Sequence, residues 1–112
     1  MKIKEILDKS DEFLDKEVEV AGLFIMQGEI SYFVDEEAEP DCKIRLEVVH
    51  PNLKEVLRGN VPACGGGNFF YYHKAIARAK LISMADSVSG FGLNNLNYLM
   101  FKVREYEFTP IS

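Results

Sequence analysis

Between Phe69 and Ser83 the chain sets Ala75, Ala77, Ala79 and Leu81 at alternate positions, with Lys74, Ile76, Arg78, Lys80 and Ile82 between them. A period of two sends one set to each face of a strand. The apolar set is small, and a strand that turns methyl groups inward lets the walls of a sheet come close, so this segment predicts tight curvature. Length sets the scale of the object that curves. At 112 residues, with 47% hydrophobic and 28% charged side chains, residues 1–112 are read as a single domain with a modest core.

Other segments repeat the strand pattern. Glu17 to Met26 alternates and then becomes continuously apolar, as a strand does when it is half exposed at one end and buried on both faces at the other. Gln27-Gly28-Glu29 reads as a hairpin turn, and Ile30-Ser31-Tyr32-Phe33-Val34 as the return strand, with Ile30, Tyr32 and Val34 on one face and Ser31 and Phe33 on the other. Ile44, Leu46 and Val48 alternate with Lys43, Arg45 and Glu47, which predicts a third strand with the first three residues inward. Pro51 followed by Leu53, Val56 and Leu57 and closed by Gly59-Asn60 describes a two-turn helix. A fourth strand runs over Phe69–Ser83. The polar stretch Met84–Asn97, with Gly90 and Gly92, reads as a connection to a fifth strand over Tyr98–Phe108. At the start, Ile3, Ile6 and Leu7 at i, i+3 and i+4 mark a short amphipathic helix suited to plugging a sheet, with Phe13 and Leu14 adding an apolar patch.

Three strands, a short helix and two more strands is the element order of an OB-fold. The expected class is therefore all-β with short helices: a five-stranded OB-like Greek-key barrel with an N-terminal helix and a short helix between strands three and four. The opening Leu14-Asp15-Lys16-Glu17-Val18-Glu19-Val20-Ala21-Gly22 also resembles the entry into strand one of nucleic-acid-binding OB domains such as anticodon-binding modules.

Charge is unevenly divided. Met1 to Val56 carries seven Lys/Arg against fifteen Asp/Glu, a net of −8, whereas Leu57 to Ser112 carries six against three, a net of +3. The densest part is Asp35, Glu36, Glu37, Glu39 and Asp41, which falls between strands two and three. Such a run attracts cations and repels phosphates. The usual nucleic-acid face of an OB-fold would use Phe33 as a stacking ring with Lys43 and Arg45 as cations, joined by Lys74, Arg78 and Lys80 on strand four. The acidic run beside that groove opposes a polyanion. The structural alternative for the strand-four cations is a solvated outer face paired with Glu17 and Glu19.

No catalytic pattern stands out. Cys64-Gly65-Gly66-Gly67-Asn68 lacks the Lys and the following helix of a phosphate loop and reads as a flexible connection. The carboxylates of the acidic run share one hydrated environment, so nothing splits their pKa values into acid and base. The run lacks the central Gly and terminal Glu of a calcium loop. Cys42 and Cys64 read as free thiols, and neither is spaced with His50 or His73 as zinc ligands. No cofactor is expected. The N-terminal segment lacks the apolar stretch of a signal peptide, and no window reaches the roughly 18 apolar residues of a membrane span, so a cytoplasmic location is expected.

In size and charge the chain is similar to bacterial immunity proteins, which cap basic nuclease toxins by electrostatic complementarity. That resemblance implies a non-enzymatic protein that neutralises a cationic partner. The expected contacts are Asp35, Glu36, Glu37, Glu39 and Asp41, with Phe33 or Tyr72 as aromatic anchors. The alternative is a single-stranded nucleic-acid binder using Phe33, Lys43, Arg45, Lys74, Arg78 and Lys80.

Overall fold

A computed structural model describes residues 1–27, 30–39, 42–50, 71–103 and 106–108. Two short helices, α1 (Ile3–Asp8) and α2 (Ser10–Phe13), precede six strands: β1 (Glu17–Gln27), β2 (Ile30–Val34), β3 (Leu46–Val48), β4 (Tyr71–Ser83), β5 (Phe91–Val103) and β6 (Tyr106–Phe108). Strand β1 pairs antiparallel with β2 on one edge and with β4 on the other, and β4 pairs antiparallel with β5. The parallel match of Glu47 with Gly92 and Val48 with Leu93 joins β3 to β5 and closes the ring. The result is a closed five-stranded barrel in the order β1-β2-β3-β5-β4, compatible with an OB-like fold, with β6 added beyond β5. The expected helix over Pro51–Asn60 lies outside the described residues. Among those residues no helix is long and apolar enough to cross a membrane.

The alternation of β4 explains the closure. Ala75, Ala77, Ala79 and Leu81 all face the interior, opposite Val18, Val20, Phe24 and Met26 of β1 and Leu93, Leu96 and Leu99 of β5. Small side chains on β4 leave room for large ones on the other walls, and Phe24 meets Phe33 edge to face with ring centroids 5.5 Å apart. Helix α1 fills the barrel with Ile3 and Ile6, both fully buried, while Leu7 and Phe13 pack at the margin of the same core. Gly22 makes the plug possible. A Cβ there would collide with the carbonyl oxygen of Val34 and lie 2.8 Å from Cδ1 of Ile3.

Two expectations about strand limits are corrected. The segment Met84–Asn97 is not a long connection: Met84–Gly90 is the turn, and β5 begins at Phe91. Ser87 organises the turn, its hydroxyl lying 3.0 Å from the Met84 carbonyl oxygen and accepting the Gly90 N–H at 3.0 Å. The polar residues that imitate a loop form a bulge. Arg78 pairs with Tyr98 but Lys80 with Asn94, so three residues of β5 oppose one of β4, and Asn95 takes a φ of 51° there. The bend lets β5 pair with β3 through its first half and with β6 through its second. The other correction concerns Ile44, which is exposed because β3 starts only at Leu46. Before that point Arg45 turns its side chain back toward Cys42, and residues 43–44 form a bend outside the ladder.

Candidate functional site

The acidic run leaves β2 at Val34 and folds back across the outside of the β1–β2 hairpin. There Leu23, Ile25, Tyr32 and Val34, all outward-pointing, form a second buried apolar cluster, and Ala38 and Cys42 pack against it. These four residues explain the continuously apolar half of β1: it is buried on both faces because a loop covers the outer one.

Each end of the loop is held. At the first, the Asp35 carboxylate accepts the backbone N–H of Ile3 at 2.7 Å and of Lys4 at 3.3 Å. Helix α1 has Lys2 in the capping position, with no side-chain cap of its own. Asp35 therefore satisfies donors that the helix itself leaves open, and its negative charge suits that terminus. At the other end, Arg45 Nε donates to the Cys42 carbonyl at 2.7 Å, and the guanidinium stands 4.1 Å above the Tyr32 ring centroid. Cys42 is a free thiol.

Between these anchors Glu36, Glu37 and Glu39 are exposed. Glu37 accepts a hydrogen bond from Lys2 Nζ at 3.1 Å, and Glu36 lies 3.9 Å from Lys74 Nζ. The hydrogen bond, more than the charge itself, holds Glu37 below the ordinary carboxylate value and Lys2 above the ordinary lysine value. Sequence reasoning missed Lys2 and Tyr32. Lys2 lies 35 residues from Glu37, a separation at which no local pattern signals a pair.

The candidates from sequence thus occupy different places. Glu36, Glu37 and Glu39 share one exposed loop, whereas Asp35 is buried and engaged with α1. Asp41 lies outside the described residues. Phe33 is corrected: it is fully buried in the barrel core against Phe24, because β2 turns it inward while Tyr32 and Val34 turn out. It cannot serve as an exposed anchor or stacking ring. Tyr72 pairs with Ile25 in the β1–β4 ladder. Lys43 is exposed, but Arg45 is half-buried over Tyr32. On β4, Lys74 and Arg78 are exposed and Lys80 is half-buried. Arg78 lies 3.7 Å from both Glu17 and Glu19, and Asn97 donates to Glu17. Arg78 therefore borders β1 carboxylates, as the solvated-face alternative expects, whereas Lys74 approaches Glu36 of the acidic loop. Among the described residues no three His, Cys, Asp or Glu side chains group as a metal site.

Comparison with known proteins adds no relative: no family model matches the chain, and neither a curated protein nor a solved structure matches it.

Proposed function

We propose that this is a non-enzymatic, cytoplasmic binding protein whose acidic loop docks a protein partner with a basic surface, in the manner of an immunity-type protein that neutralises a cationic toxin. The observation that carries this reading is the anchoring of the loop. Glu36, Glu37 and Glu39 stand outward on a segment held by Asp35 at one end and by Arg45 at the other. Carboxylates held in this way need little further ordering when a partner arrives, so less of the binding free energy is spent on the loop. Their charge would steer association with a cationic surface.

The nucleic-acid alternative has weaker support. Its stacking ring, Phe33, lies in the core, and one of its two cations beside the loop, Arg45, is engaged with Tyr32.

Reversing Glu36, Glu37 and Glu39 together to Lys tests the proposal. With a partner captured by affinity purification and identified by mass spectrometry, the triple variant should associate at least about tenfold more slowly at low ionic strength. Equal association rates would take the loop out of the interface. Fluorescence titration with mixed single-stranded oligonucleotides at low salt tests the alternative, since binding that weakens steeply with added salt would favour nucleic acid over the protein partner.

A further inference from the structure

Strand β3 closes the ring through short ladders on both sides. It matches β2 at Tyr32–Glu47 and Phe33–Leu46 and β5 at Glu47–Gly92 and Val48–Leu93, whereas β1 and β4 stay in register from Glu17–Lys80 to Met26–Tyr71. Both strands of the β3–β5 seam, with the residues that flank the matched pairs, lie among the described residues. Past the last matched pair, the Val49 N–H adds one bond to the Leu93 carbonyl at 2.8 Å.

A methionine lies over this seam. Gly92 alternates with Phe91 and Leu93, which pack toward the core, so a side chain at position 92 would point to the outer wall. That place is taken. Sδ of Met84 sits where a Cβ of Gly92 would be, with Met84 Cγ 3.2 Å and the Glu47 carbonyl oxygen 3.1 Å from the same point. Gly92 is therefore buried although it faces outward. The Met84 backbone is fixed at the foot of the turn, its N–H bonded to the Gly90 carbonyl at 2.9 Å and its own carbonyl accepting the Ser87 N–H at 3.1 Å. Met84 is half-buried, so a small oxidant reaches its sulfur, whereas Met26 is enclosed in the core.

We propose that Met84 is a site of reversible oxidation that loosens the β3–β5 seam. Hydrogen peroxide supplies one oxygen atom. The sulfur lone pair forms the S–O bond as the O–O bond breaks, and a proton passes from the transferred oxygen to the departing hydroxide, which leaves as water. Sulfur is oxidised by two electrons and peroxide is reduced, and sulfoxide reductases reverse the change. The product is polar where the thioether was apolar. Its oxygen finds no room against Gly92 and bears the same sign of partial charge as the Glu47 carbonyl oxygen beside it. The side chain therefore turns to water, and a short ladder loses the apolar group that covers it. This device acts whether or not the acidic loop docks a partner.

Hydrogen exchange at the Val49 amide, followed by NMR on the full chain, tests the proposal because its acceptor lies on the other strand of the seam. Peptide mapping after peroxide treatment should place the added oxygen on Met84 ahead of Met26. In the oxidised protein Val49 should exchange about tenfold faster, with the Leu81 amide, which bonds to the Lys16 carbonyl beside the β1–β4 ladder, unchanged. Treatment with methionine sulfoxide reductase should restore slow exchange. Met84→Leu keeps an apolar cover that cannot be oxidised, so peroxide should leave its Val49 exchange unaltered. Both proteins keep their cysteines and other methionines, so oxidation of those groups cannot produce the difference. Unchanged Val49 exchange with Met84 oxidised would overturn the proposal, as would an equal acceleration in Met84→Leu or in Leu81. If Met84→Leu does not fold, Met84→Gln decides in its place: fast Val49 exchange without peroxide supports the seam device, and exchange as slow as in the unoxidised parent overturns it.

Discussion

Strand β1 carries two different outer walls. On its first half Glu17, Glu19 and Ala21 point outward and are exposed, beside Lys80, Arg78 and Ile76 of β4. On its second half Leu23 and Ile25 point the same way and are buried, beside Val34 and Tyr32 of β2. Backbone alternation is the same throughout, so strand geometry does not make the difference. A loop lies over one half and not the other. An outward position on a barrel acquires its chemistry from whatever crosses it, and here a strongly acidic segment does the crossing with Ala38 and Cys42 turned down and its glutamates turned out.

The largest expected effect belongs to the interior that both walls share. Phe33→Ala should destabilise the protein by about 3–5 kcal/mol in chemical denaturation, because it leaves a cavity against Phe24. A change within about 0.5 kcal/mol, the range of surface substitutions, would mean that Phe33 is a contact residue after all. The comparison itself is broken or kept by a pair of substitutions on β1. Ile25→Lys, which puts a charge beneath the loop, should cost about 3 kcal/mol, whereas Ala21→Lys on the open wall should stay within about 0.5 kcal/mol. Similar costs at the two positions would erase the distinction.

Smaller effects sharpen it. Asp35→Ala should cost about 1–2 kcal/mol and reduce the protection of the first turn of α1, since it removes both cap acceptors. On the open wall, Arg78→Ala should cost about 0.5 kcal/mol or less in the same denaturation assay, as exposed pairs with Glu17 and Glu19 contribute little. The smallest effect is electrostatic. Because Glu37 titrates below its ordinary value in the folded chain, its contribution is present above that ordinary value and is lost as the pH falls through the lowered one. Lys2, raised in the folded chain, contributes below its own ordinary value and loses that contribution as the pH rises through the raised one. The pair is therefore intact across neutral pH. In Lys2→Ala, the NMR titration midpoint of the Glu37 carboxyl should move up toward its ordinary value, and an unmoved midpoint would remove Lys2 as the cause.

The alternating residues of the chain were sufficient to identify most of the barrel. Ala75, Ala77, Ala79 and Leu81 face inward as their spacing implies, β2 spans Ile30–Val34 as expected, and Ile3 and Ile6 plug the core. The start of β5 was not legible, because Asn94, Asn95 and Asn97 have turn-forming character that the bulge uses within a strand. Of the site, the exposure of Glu36, Glu37 and Glu39 was legible from their charge. The inward turn of Phe33 follows from knowing which face of β2 the barrel takes, and both faces of that strand are apolar enough to have been chosen.

Sequence alone determined the strand periods, the curvature implied by small residues on β4 and the concentration of acid in one connection, because these are local properties of side-chain order and charge. Only the tertiary structure decided that Asp35 caps a helix 32 residues away, that Lys2 meets Glu37, and that Arg45 rests on Tyr32. Closing the barrel brings those groups together, and contacts between residues so far apart in the chain depend on that closure and not on any local preference.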